Sequence, residues 1–148
     1  MCQAGPRASR PALLGIMSTL FAGLGGCGQS GPQAFLPVEG QVKFGGQVLT
    51  RGTVVLHPDA ARGNATKHEP RGAIGPDGRY HVFTHPHAGA PPGWYKVTVI
   101  AMEPSDPKNP YALPRSLIPD RFGKLDQSSL AFEVRKDAPA GAYDLELQ

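Results

Sequence analysis

From Val38 to the end of the chain, apolar side chains recur at every second position, and no stretch sustains them at every third or fourth. Val38, Gly40, Val42 and Phe44 alternate with Glu39, Gln41 and Lys43, and Tyr95, Val97 and Val99 alternate with Lys96, Thr98 and Ile100. Leu130, Phe132 and Val134 repeat the pattern against Ala131, Glu133 and Arg135, as do Tyr143, Leu145 and Leu147 against Asp144, Glu146 and Gln148. Successive side chains of a strand point to opposite faces, whereas a helix brings residues three or four apart together. A period of two therefore builds half-buried strands and excludes amphipathic helices. Thr53-Val54-Val55-Leu56, Arg71 to Ile74 and Arg79 to Thr84 supply further strands. Turn formers separate the runs. Gly45-Gly46 marks a hairpin, and in Gly75-Pro76-Asp77-Gly78 the proline presets φ while the last glycine supplies φ > 0. The 19 glycines and 16 prolines thus punctuate a chain that, at 40% hydrophobic residues, can bury a core. The expected fold is all-β, with about seven short strands in a sandwich.

One local pattern occurs at three of these strand starts. Gly78-Arg79-Tyr80-His81-Val82, Gly93-Trp94-Tyr95-Lys96-Val97 and Gly141-Ala142-Tyr143-Asp144-Leu145 all read G-x-Y-x-(V/L). Glycine ends the turn, tyrosine is the first inward residue, and its ring can be buried while its hydroxyl reaches a polar partner. The copies begin 15 and then 48 residues apart, so they are no internal repeat but a shared way of starting a core strand.

Residues 1–26 have a different character. Arg7 and Arg10 precede Pro11 to Leu24, a 14-residue uncharged and mainly apolar run, followed by Gly25, Gly26 and Cys27. A basic start, an apolar run of this length and small residues before a cleavage point describe a secretory signal; a spanning helix needs about 20 apolar residues. Leu24-Gly25-Gly26-Cys27 resembles a bacterial lipobox, which implies cleavage before Cys27 and acyl chains such as palmitate on its thiol. Two or more such chains hold a protein stably at a membrane. Cys2 then leaves with the signal and Cys27 is blocked, so the mature chain holds no disulfide. Residues 27–37 form the lipidated cysteine and a tether without periodicity. Gly28 is not the aspartate that tends to retain lipoproteins at the inner membrane, which favours the outer one.

The runs VEGQVKFGGQVLTRGTVVLHP, GAIGPDGRYHV, PPGWYKVTV and AGAYDLELQ resemble the transthyretin-like, carboxypeptidase-regulatory-like β-sandwich of small bacterial lipoproteins, over residues 38–148. Ser116-Leu117-Ile118-Pro119-Asp120-Arg121-Phe122 also resembles an element of that family. The resemblance implies a seven-stranded Greek-key (transthyretin-like, Ig-like) sandwich in the cell envelope with an accessory or binding role.

Chemistry-bearing residues are sparse. The formal charge of +3 falls to 13 − 12 = +1 once Arg7 and Arg10 are cleaved, so the basicity points to no nucleic-acid partner. Four histidines sit in loops, His57 and His68 in one and His85 and His87 in another. If those loops share one end of the sandwich, their imidazoles form a metal-binding candidate, opposed by the lack of a thiolate and by scarce neighbouring acids (Asp59, Glu69). Trp94 and Tyr111 are a candidate stacking platform for a sugar or a peptide proline. Alternatively, the proline-rich loop 102–115 covers Trp94. Asn64-Ala65-Thr66 matches a glycosylation acceptor and suggests an exposed loop. No serine lies in a G-x-S-x-G elbow, no phosphate loop occurs, and the chain does not end in the Tyr-Arg-Gly-Ser of the transthyretin-like hydroxyisourate hydrolases. The expectation is a lipid-anchored, non-catalytic envelope lipoprotein with no cofactor, serving as a structural or interaction module. The alternatives are a carbohydrate- or peptide-binding module using the loop rims and a histidine-based metal-binding accessory protein.

Overall fold

Ten strands form where the side chains alternate: β1 (Glu39–Phe44), β2 (Gln47–Val48), β3 (Gly52–Pro58), β4 (Arg71–Ile74), β5 (Arg79–His81), β6 (Phe83–Thr84), β7 (His87–Ala88), β8 (Gly93–Ile100), β9 (Ala131–Val134) and β10 (Leu145–Leu147). The computed structural model describes residues 33–148. The expected signal (1–26, with Leu24, Gly25 and Gly26), the lipidation site Cys27 and the tether to residue 32 lie outside the described residues. Among the latter there is no α-helix, only short 3-10 turns at Ala60–Arg62 and Asp120–Gly123.

The strands make one curled sheet in the order β10-β1-β5-β4-β3-β8-β9, with β2 on β1 and the β6–β7 hairpin on β4. All pairs are antiparallel except β1 with β10. Its concave side holds the core. Val42, Val54, Leu56, Tyr80, Tyr95, Val97, Val99 and Leu147 are completely buried, all at alternate positions of their strands. Ile118 and Phe122, from the connection between β8 and β9, are buried with them.

The three tyrosine patterns behave alike. Tyr80, Tyr95 and Tyr143 are buried, and their leading glycines, Gly78, Gly93 and Gly141, sit at φ +74°, +139° and +79°, where a side chain would be strained. Each hydroxyl donates to a main-chain carbonyl: Tyr80 to Tyr143 at 2.5 Å, Tyr95 to Pro91 at 2.9 Å and Tyr143 to Arg135 at 3.4 Å.

Strand bounds differ from expectation in three places. The run from Arg79 to Thr84 changes partners at Val82, whose N–H donates to Val38 while its carbonyl accepts from Gly89, so it is two strands. In the last run, Gly141–Asp144 form a turn and pairing starts only at Leu145. Residues 33–37 belong to the folded body rather than to the tether: Leu36 exchanges two hydrogen bonds with Ala90, and Gln33 donates to the Thr66 hydroxyl. The apolar contacts of Phe35 and Leu36 outweigh the linker-like composition around them.

Candidate functional site

β1 outruns its partner β10, and this mismatch creates the site. On one edge, β1 pairs with β5 through Glu39↔His81, Gly40↔Tyr80 and Gln41↔Arg79. On the other edge β10 pairs only with Val42, Lys43 and Phe44. Beside Glu39–Gln41 the chain instead makes the 135–144 turn, leaving a groove of about 650 Å³. One wall is Glu39–Gln41 with Arg79 and His81; the other is Arg135, Lys136 and the turn from Ala138 to Gly141. The cations Arg79, Arg135 and Lys136 line it together with two acids, both already engaged. Glu39 Oε2 lies 3.1 Å from His81 Nδ1, and Asp144 Oδ1 accepts the Gln41 N–H at 2.8 Å.

A hydrogen-bond chain sets this second wall. The Tyr80 hydroxyl, buried in the core, donates to the Tyr143 carbonyl, and the Tyr143 hydroxyl both donates to the Arg135 carbonyl and accepts the Arg135 N–H. Burial, reinforced by the Asp144 charge, pushes the Tyr80 hydroxyl well above its ordinary range, so it stays a neutral donor. Gly40 permits the arrangement: a Cβ there would run into the main chain of Tyr143. Groove and wall are thus preformed by the core.

Compared with protein-family models, curated proteins and solved structures, this chain matches none.

The residues singled out by sequence are distributed differently. His57 is held by two neighbours, Glu69 on Nδ1 at 3.2 Å and the Thr98 hydroxyl on Nε2 at 3.0 Å. His68 and His87 do approach the same place, but what they meet is Phe35, stacked on His87 with ring centroids 4.3 Å apart and edge-on to His68 at 6.5 Å. His85 is exposed. Among the described residues no group of three or more His, Cys, Asp or Glu side chains is placed to hold a metal.

Trp94 is half-buried, and its cover is Arg62, whose guanidinium carbon sits 4.4 Å from the ring centroid, rather than the proline-rich loop. The turn after β3 folds back there because the Trp94 carbonyl accepts from the Asp59 N–H and the Asn64 amide. Asn64, expected in an exposed loop, is therefore buried. Tyr111 is 94% exposed in a loop whose base, the Met102–Ser116 bridge, lies beyond the opposite end of β8 from Trp94. The structure does not stack the two rings: among the described residues the aromatic pairs are Phe35 with His68 and His87, and Phe132 with Tyr143.

Sequence reasoning missed the groove. Its one legible signal was Gly40, since an isolated glycine in a strand often marks a close main-chain approach.

Proposed function

We propose that this protein is a lipid-anchored, non-catalytic module of the bacterial cell envelope, held to a membrane by acyl chains on Cys27 and binding an envelope partner in the groove beside β1. In this reading the curled sheet is a Greek-key sandwich of the transthyretin-like, carboxypeptidase-regulatory-like kind, with β1 passing from one layer to the other at Val42. The outer membrane is the favoured location, from Gly28 after the lipidated cysteine.

The preformed groove carries the binding role. Its walls are fixed before any ligand arrives, which lowers the ordering cost of association. Its buried hydroxyls, Tyr80 and Tyr143, are engaged by main-chain carbonyls and so suit positioning better than proton transfer. The Leu24-Gly25-Gly26-Cys27 run after the apolar stretch supports the anchor.

Metabolic labelling with radioactive palmitate in a bacterial host, followed by membrane fractionation, tests the anchor. The native chain is expected to take up label and sediment with membranes, and Cys27→Ser to lose both. Label-free native chain, or unchanged fractionation of Cys27→Ser, removes the lipoprotein reading.

A further inference from the structure

We infer that the groove beside β1 captures an extended peptide segment bearing a carboxylate, with the peptide main chain pairing to Glu39 as a short added strand and the carboxylate meeting Arg79, Arg135 and Lys136. This rests on the reading of the protein as a binding module and names the class of its ligand.

The main-chain half of the argument follows from strand geometry. In an antiparallel pair, alternate residues turn both N–H and C=O toward the partner, and those between turn away. Val42 N–H donates to Gly78 and Val38 C=O accepts from Val82, so residues 38, 40 and 42 face β5 and its flanking turn. Glu39 and Gln41 therefore present their N–H and C=O groups to the other edge. Farther along that edge β10 fills the positions, and Gly45 N–H donates to Leu147. At Gln41 the Asp144 carboxylate oxygen stands where the carbonyl of a neighbouring strand would be. Glu39 lines the groove, and among the described residues nothing hydrogen-bonds to its main chain on this edge. An unpaired strand edge is a template for another chain, with main-chain bonds supplying affinity and side-chain sites supplying selectivity.

The charge half follows from the lining. Three cations line the groove, Arg135 with Asp137 3.9 Å from its Nε at the exposed rim, and the two lining acids are occupied by His81 and by the Gln41 N–H. An incoming carboxylate gains from Arg79, Arg135 and Lys136, whereas a cationic segment meets like charge. The volume of about 650 Å³ suits a short segment rather than a folded surface. Arg135 is held at its main chain by Tyr143, so this wall is in place before binding.

The experiment is a titration of the isotope-labelled full chain in detergent micelles, read by amide chemical shifts. Four acetylated peptides of alternating Val and Thr serve as probes: one with a free carboxyl terminus, one amidated with a terminal Glu, one amidated without acid, and the Glu peptide N-methylated at its central residue. The acid-bearing peptides are expected to shift the amides of Glu39, Gln41, Arg135 and Lys136. The tighter of the two identifies a terminal or a side-chain carboxylate as the group recognised. The acid-free and the N-methylated peptides are expected to bind about tenfold more weakly, as is the Glu peptide to the doubly reversed Arg135→Glu, Lys136→Glu chain at an unchanged melting temperature. Equal affinity for the acid-free or the N-methylated peptide overturns the proposal. So does saturation at other residues, or the same amides shifting with chitohexaose and with no peptide. The palmitate labelling above reads the anchor separately, so failure of peptide capture leaves that result untouched.

Discussion

The Tyr80 hydroxyl lies 2.5 Å from the Tyr143 carbonyl oxygen, and this bond ties together two copies of one five-residue pattern, 63 residues apart. The first tyrosine belongs to β5 and the second to the turn leading into β10, so the contact holds the last strand's approach against the face of β1. Tyr143 in turn grips the main chain of Arg135. A core side chain thereby controls the outer wall of the groove.

Tyr80→Phe keeps the ring and leaves the Tyr143 carbonyl without its donor. Stability is expected to fall by about 1–3 kcal/mol in urea denaturation, the cost of an unmatched buried polar group. Amide exchange at Leu145 and Leu147 is expected to speed up more than at Val97 and Val99. Uniform acceleration would show that the bond serves the core generally and not the docking of β10.

Alkaline pH attacks the same feature. Burial raises the hydroxyls of Tyr80 and Tyr95 above their ordinary value of 10.0. Above that pH the unfolded chain loses these protons while the folded one keeps them, so the unfolded state binds fewer protons and stability falls as pH rises. The contribution is complete below about pH 10 and is lost above it. Ultraviolet tyrosinate absorbance followed alongside circular dichroism checks this: part of the tyrosinate signal is expected to appear only together with loss of β structure.

Gly40→Ala introduces a methyl group where the Tyr143 main chain already stands. Because the obstacle is main chain rather than the end of a flexible side chain, the turn must move. A loss of about 1–3 kcal/mol is expected, as for overpacking elsewhere. Thermal denaturation measures it; an unchanged melting temperature would mean that the 135–144 wall is freely displaced.

Arg62→Ala removes the guanidinium from the Trp94 ring and the 3.5 Å contact between Arg62 Nε and Asp59. Trp94 emission is expected to shift to longer wavelength and iodide quenching to rise, with stability changing by less than about 1 kcal/mol. Unaltered quenching would assign the shielding to another group.

Much of the strand layout was legible because alternation is a local property. The inward positions Val42, Tyr80, Tyr95, Val97 and Val134 follow directly from a period of two. Thr98 departs from that rule, a polar-face residue only 3% exposed, because His57 from the adjacent strand hydrogen-bonds over it. So short a stretch as residues 33–37 could not show that Phe35 would stack on His87, or that Leu36 would pair with Ala90, since a few residues carry no periodicity. For the candidate histidines, composition identified imidazoles in loops but not the neighbours that engage them.

What the chain's sequence determines by itself is the all-β class, the face each strand residue takes and the glycines that close the turns before Tyr80, Tyr95 and Tyr143. Each of these depends on steric and hydrophobic preferences within a few residues. Tertiary structure alone decides that β10 runs parallel to β1 with Val42 opposite Leu145, that it stops short of Glu39, and that cations from β5 and from the 135–144 turn line the same gap. Those facts depend on the pairing of segments about a hundred residues apart. No local preference encodes the register there; it is settled by the packing of the whole core, where Gly40 makes room and the Tyr80 hydroxyl reaches Tyr143.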